Sequence, residues 1–449
     1  MKSLIPSLRG GFALSVVEAS SRRSNLITRK EVVSSSLRLR SATLSAKGIA
    51  IACLLAVAFI LFNARPVHGQ GSIEVKNANV VVTFGKEITF QAQIAASLPI
   101  LQTSILFREL NEEVTRVETL QVGPDNTVSF TYDASQNVLP PFSTIVFWYQ
   151  VTLNDNQTYT STPIQFRYDD NRFTWRESAS GLVKVHWYEG DDAFGQAALD
   201  AAGSGLLAIN EIVPLTLDTP IDIYIYSNIA DLQGALQLGG EEWVGGHANP
   251  KLGVVMVAVA PGATQSIEMQ TDIPHELAHV MLYRALHEGY ARLPRWLNEG
   301  IASAVELYPN PEYAQALTTA SQQDSLLRFV DLCDSFPPDT ARAFLAYAQS
   351  QSFTTYLHTT YGTTGLTSLV NAYTDGLSCE LGARRALSMS LGQLDVRWRE
   401  SVLGENTAGV ALRSLAPFAL LMLVILIVPI WGAVDILRER GRRRGLESK

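Results

Sequence analysis

The chain has 449 residues, a formal net charge of −8, 47% hydrophobic and 17% charged residues, a balance that excludes a wholly disordered protein. There is room for two globular domains besides targeting segments. Residues 1–69 carry ten Lys/Arg against Glu18 and Glu31, whereas residues 70–434 carry about −19, which excludes a nucleic-acid-binding body because phosphate contacts need clustered Lys and Arg.

The first element is Gly48–Phe62, a charge-free apolar run behind the basic leader and ahead of Asn63-Ala64-Arg65-Pro66. A basic start, a short apolar core and a break describe a secretory signal within 1–69; an uncleaved signal anchor fits the same pattern. Cys53 sits at the front of that run, the wrong end for lipid attachment.

Residues 72–170 read as a β domain. Val80–Phe84, Ile88–Ala92, Thr103–Phe107 and Thr144–Tyr149 are short strand-like runs separated by turn residues. About seven such strands, one of them aromatic near Trp148, resemble an immunoglobulin-like or fibronectin-like sandwich. That likeness is architectural and implies no chemistry.

Residues 172–410 change character. Val183–Tyr188 reads as a strand, Phe194–Ile212 as an Ala-rich helix, Ile221–Tyr226 as a strand, Ala230–Leu238 as a helix and Gly253–Ala260 as a strand. From Glu268 to Leu403 the pattern is almost wholly helical, so this is an α+β domain. Leu415–Val434 then offers 20 uncharged residues, enough to cross a bilayer as a helix. Arg438, Arg440, Arg442, Arg443 and Arg444 follow, so residues 435–449 are expected in the cytoplasm and the body outside a cell membrane crossed once.

The chemistry is concentrated in Asp272-Ile273-Pro274-His275-Glu276-Leu277-Ala278-His279. Asp272 is expected to cap a helix with Pro274 in its first turn. His275 and His279 are four apart, so both imidazoles leave one helix face and can grip one ion. Zinc suits imidazole, needs a third protein ligand and keeps a position open for water; Glu276 sits where its carboxylate can reach that water. Leu282 and Ala285 occupy positions where the longer metzincin motif has Gly and His, which excludes that branch.

Pro294-Arg295-Trp296-Leu297-Asn298-Glu299-Gly300-Ile301-Ala302-Ser303 follows, with Glu299 20 residues beyond His279. Together the two motifs resemble the gluzincin zinc metallopeptidases, and more closely the peptidase MA-like family with its HExxH and W-L-x-E-G-x-A pattern. The resemblance covers roughly residues 172–405. It implies a thermolysin-like (zincin) fold, one Zn2+ held by His275, His279 and Glu299, Glu276 as general base, and a peptide or protein substrate. Many gluzincins orient the first histidine with an Asp four residues after the third ligand; here that position is Ser303, with Glu306 three residues further on. Related enzymes also supply an oxyanion donor from a later helix. Tyr347 is placed like that residue, with Tyr356 and His358 as rivals.

His247, ahead of the strand that borders the cleft in this fold, is a candidate substrate contact or an uninvolved loop residue. Cys333 and Cys379 form one disulfide or stand as separate thiols. The rival reading from another class is a non-catalytic surface protein that keeps the peptidase fold as a scaffold. An intact His275/Glu276/His279/Glu299 set argues against it, since decay usually removes a ligand or the base.

Overall fold

The computed structural model describes residues 71–236, 246–405 and 407–446. The expected leader over 1–69, with its apolar run, lies outside the described residues, as do Gly239 and Gly240. Residues from Gly71 onward cluster as one compact unit.

Eight strands come first: β1 (Ile73–Thr83), β2 (Glu87–Ala96), β3 (Ile100–Glu109), β4 (Arg116–Leu120), β5 (Thr127–Asp133), β6 (Thr144–Leu153), β7 (Thr158–Thr160) and β8 (Ile164–Arg167). They form two antiparallel sheets, β1-β2-β5 and β4-β3-β6-β7, with β8 also paired to β6. Strand alternation turns Ile88, Phe90, Ala92 and Ile94 of β2 toward the other sheet. Phe90 meets Phe107 and Phe147 there, at ring-centroid distances of 5.4 and 5.1 Å.

A third sheet is built from β9 (Arg176–Ser180), β10 (Val183–Trp187), β11 (Ile221–Tyr226), β12 (Gly246–Asn249) and β13 (Val254–Ala258), in the order β12-β13-β11-β10-β9. Helices α1 (Asp192–Ile212) and α2 (Ile229–Leu236) interrupt these strands in sequence. β10, β11 and β13 run parallel, and β9 and β12 are antiparallel edges. The β11 sequence Ile-Asp-Ile-Tyr-Ile-Tyr explains the layering. Ile221, Ile223 and Ile225 join the core under the helices, whereas Tyr224 and Tyr226 join the core of the first two sheets. A strand apolar on both faces must be covered on both.

Seven further helices follow: α3 (Gln265–Leu286), α4 (Arg295–Ala304), α5 (Glu312–Gln322), α6 (Thr340–Thr374), α7 (Cys379–Leu387), α8 (Leu391–Val402) and α9 (Thr407–Leu446). Asp339 caps α6 by accepting from Arg342 N–H at 2.9 Å. Ser390 and Gln393 close a capping box on α8. Trp296, Phe329, Phe353 and Trp398 pack the centre of this half, Phe329 stacking on Phe353 at 4.0 Å. Cys333 and Cys379 are disulfide-bonded, with Cα atoms 6.2 Å apart. Within α9, Leu415–Arg438 has a mean hydropathy of 2.6 and exposed apolar side chains, and is long and apolar enough to cross a membrane.

The motif helix departs from the expectation. It begins at Gln265, so Asp272 does not cap it and Pro274 lies in its interior. A proline there leaves the carbonyl four residues back without its helical donor. Gln270 O is that carbonyl, and it accepts instead from Leu307 N–H at 2.9 Å.

Candidate metal centre

α3 carries His275 and His279 one turn apart, and α4 brings Glu299 against them from the side. The ligating atoms of the three residues lie within 4.8 Å of one another. Glu299 Oε2 is 3.5 Å from His275 Nε2 and 3.7 Å from His279 Nε2. α4 reaches this position by close packing on α6. A Cβ on Gly300 would stand 2.6 Å from the Ser350 carbonyl oxygen and 2.2 Å from Thr354 Oγ1, so the motif glycine is required by the approach of two helices.

Every other heteroatom of the three side chains has a partner. His275 Nδ1–H donates to Glu306 Oε1 at 2.9 Å. His279 Nδ1 lies 3.2 Å from both Asn298 Oδ1 and the Tyr290 hydroxyl, and Asn298 Nδ2 donates to that hydroxyl at 3.0 Å. Glu299 Oε1 is held by Arg295, one turn back on α4, at 3.2 Å. With each Nδ1 engaged, both imidazoles turn Nε2 toward Glu299 Oε2.

Electrostatics agree with a site for a divalent cation. Burial works against the charge of Glu299, but His279, His275 and Arg295 hold its carboxyl down at about 2. Burial lowers His279 to about 4, which keeps it neutral at pH 7. His275 is raised despite its burial, because Glu299 and Glu306 both favour positive charge beside it. Two imidazole nitrogens and one carboxylate oxygen, each oriented by a second group, are the donor set of a zinc site with a position left for substrate or water. These residues fit zinc.

Glu276, buried beside the triad, is pushed up to about 7 by burial, with His275 pulling the other way. Ala248 N–H on β12 faces that carboxylate and favours its charged form. The sheet edge therefore runs along Glu276, so closely that a Cβ on Gly246 would stand 2.7 Å from Glu276 Oε1. His247 lies on this edge strand itself and pairs with Met256 of β13, which places β12, and not β13, at the border.

Tyr347 of α6 is brought near the centre, its ring 6.5 Å from that of His275 and 5.0 Å from Phe336. Burial raises the pKa of its hydroxyl, with the neighbouring Arg295 charge pulling the other way. Tyr356 packs on Phe353 and His358 bonds Thr363 Oγ1 at 3.1 Å, both farther along the helix. Neither is brought to the triad.

Residues that the motifs did not single out are Arg295, Tyr290, Asn298 and Tyr313. The i,i+4 spacing of Arg295 and Glu299 was a usable signal. Tyr290, on the helical turn after α3, and Tyr313, in the first turn of α5, carry no local signature.

Residues 201–404 match the model of the Peptidase MA superfamily. The HExxH helix and Glu299 both lie inside the matched segment, which supports a gluzincin-like peptidase fold there. Among solved structures the chain is similar to an M1 zinc metallopeptidase from Deinococcus radiodurans, at 12% identity over 73% of this chain and 94% of that one, with a TM-score of 0.34. It is also similar to a carbohydrate-binding module family 56 β-1,3-glucan binding domain, at 14% identity over 21% of this chain and 99% of that one, with a TM-score of 0.16. No curated protein matches.

Proposed function

We propose that the chain is a membrane-anchored zinc metallopeptidase whose body hydrolyses peptide bonds outside the membrane. In this reading residues 72–170 form an immunoglobulin- or fibronectin-like sandwich and residues 172–410 the thermolysin-like peptidase domain. Leu415–Val434 crosses the bilayer once, and residues 435–449 stay in the cytoplasm. The observation that carries the reading is the convergence of three candidate ligand atoms, the two Nε2 and Glu299 Oε2, beside a buried carboxyl.

His275, His279 and Glu299 would hold the zinc, and a bound zinc supplies Lewis acidity toward water and the peptide carbonyl. Glu276, with its pKa near neutrality, takes the proton of the attacking water and passes it to the departing amine. Tyr347 donates its hydroxyl proton in a hydrogen bond to the oxyanion that develops, with the Arg295 charge beside it. An extended substrate adds to the β12 edge, with His247 alongside it.

Zinc analysis and peptidase assay of the full chain and of Glu276→Gln test this. Both proteins should bind one zinc, and the variant should lose activity by about 10²–10⁴-fold. Equal activity in the two would defeat the assignment.

A further inference from the structure

The root of the apolar helix is fastened to α5 and to α6, the helix that carries Tyr347. Trp398 of α8 is fully buried, and its Nε1–H donates to Ser352 Oγ at 3.1 Å. Ser352 lies on α6 less than two turns beyond Tyr347. After α8 the chain turns at Gly404, at φ +66°. Glu405 is then pinned twice: its N–H donates to Arg399 O at 3.1 Å, and its Oε1 accepts from Ser321 of α5 at 2.6 Å. α9 begins at Thr407 and its apolar span at Leu415.

Among the described residues, only the first two turns of α9 lie between the pinned Glu405 and the span. The helical rise from Thr407 to Leu415 is about 12 Å, and all steps from Tyr347 to Leu415 laid end to end come to roughly 40 Å. A linker of many tens of residues would let the body lift away from the bilayer; a connection this short does not.

We propose that this short, pinned root confines the peptidase to polypeptide segments lying within about 40 Å of the bilayer. Its substrate class is then the juxtamembrane stretches of membrane-embedded or lipid-attached polypeptides. The inference rests on the peptidase reading above and names the substrates of that same site. A freely diffusing polypeptide would gain nothing from such a placement, whereas a membrane-held one gains effective concentration only where the two reach the same height.

The test uses the full chain in phosphatidylcholine–phosphatidylglycerol vesicles and a quenched fluorogenic peptide chosen from a mixed-sequence pool for cleavage. The peptide is offered free, or lipid-attached to the outer leaflet through a proline-rich spacer of about 3 or about 40 residues, roughly 10 or 120 Å long. A second protein carries a helical insert of about 40 residues, roughly 60 Å, after Glu405. The unmodified chain should cut the near peptide about tenfold faster than the far one. The insert should lower that ratio about fivefold or more while leaving free-peptide cleavage unchanged. Equal rates on near and far peptides, or a ratio indifferent to the insert, overturn the confinement and leave the peptidase reading standing. Failure to cut any peptide of the pool overturns both.

Discussion

Glu306 accepts the Nδ1–H of His275 at 2.9 Å from a position seven residues beyond Glu299, just past the end of α4. The backbone around it is held to the motif helix by Leu307 N–H on Gln270 O and by Thr271 Oγ1–H on Tyr308 O, at 2.9 and 2.8 Å. Replacing Glu306 by Gln keeps the size but loses the charge that orients His275 and strengthens it as a donor. Zinc affinity should fall about 10–100-fold. Competition with a metal-sensing chelator measures this, and unchanged affinity would show that His275 needs no partner.

Gly246→Ala tests how tightly the sheet edge lies on the base. The added methyl collides with Glu276 Oε1. Peptidase turnover should fall at least about tenfold as the carboxylate is displaced, with the melting temperature nearly unchanged. A loss of stability with normal turnover per folded molecule would contradict the proximity.

The Cys333–Cys379 disulfide closes a loop with a sequence separation of 46 residues. Chain entropy alone assigns such a crosslink about 4 kcal/mol. It also adjoins the motif: Arg295 N–H donates to Cys333 O at 2.7 Å, at the start of α4. The Cys333→Ala, Cys379→Ala double variant should lose about 2–4 kcal/mol in denaturant unfolding. A shift below about 0.5 kcal/mol would mean that the folded body does not depend on the bond.

Arg167 of β8 bridges to β11, its guanidinium 3.4 Å from Asp222 Oδ2 and 2.6 Å from the Tyr224 hydroxyl. Burial would raise the Asp222 carboxyl, but the His186 hydrogen bond at 2.9 Å and the Arg167 charge bring it below the usual value. A depressed carboxyl stabilises the fold above its unfolded pKa and loses that contribution as pH falls through the folded one. Stability should therefore drop on acidification below about pH 4, and Asp222→Asn should flatten that limb. Identical pH–stability curves for the two proteins would refute the latch.

What the sequence makes legible is what local geometry dictates. Histidines four apart on a helix share a face whatever surrounds them, and the alternating Ile/Tyr of β11 requires cover on two sides. The missing parts depend on distant partners. Pro274 reads locally as a helix start. It sits mid-helix because Leu307, 33 residues on, supplies the donor that Gln270 O lacks. The same contact draws Glu306 onto His275, a pairing that motif spacing left undecided between Ser303 and Glu306. Gly-His-Ala-Asn is a weak strand former, and β12 is extended because β13 pairs with it.

Tyr224, Tyr226, Val254 and Met256 look away from the helices into the aromatic interior of the preceding sheets. Cutting the gene at residue 172 would strip these side chains bare along a sheet face and invite aggregation. The peptidase segment is thus not a portable module. Excision, shuffling or grafting has to carry the upstream sheets with it, and damage there, far from any ligand, reaches the strand along which Glu276 lies.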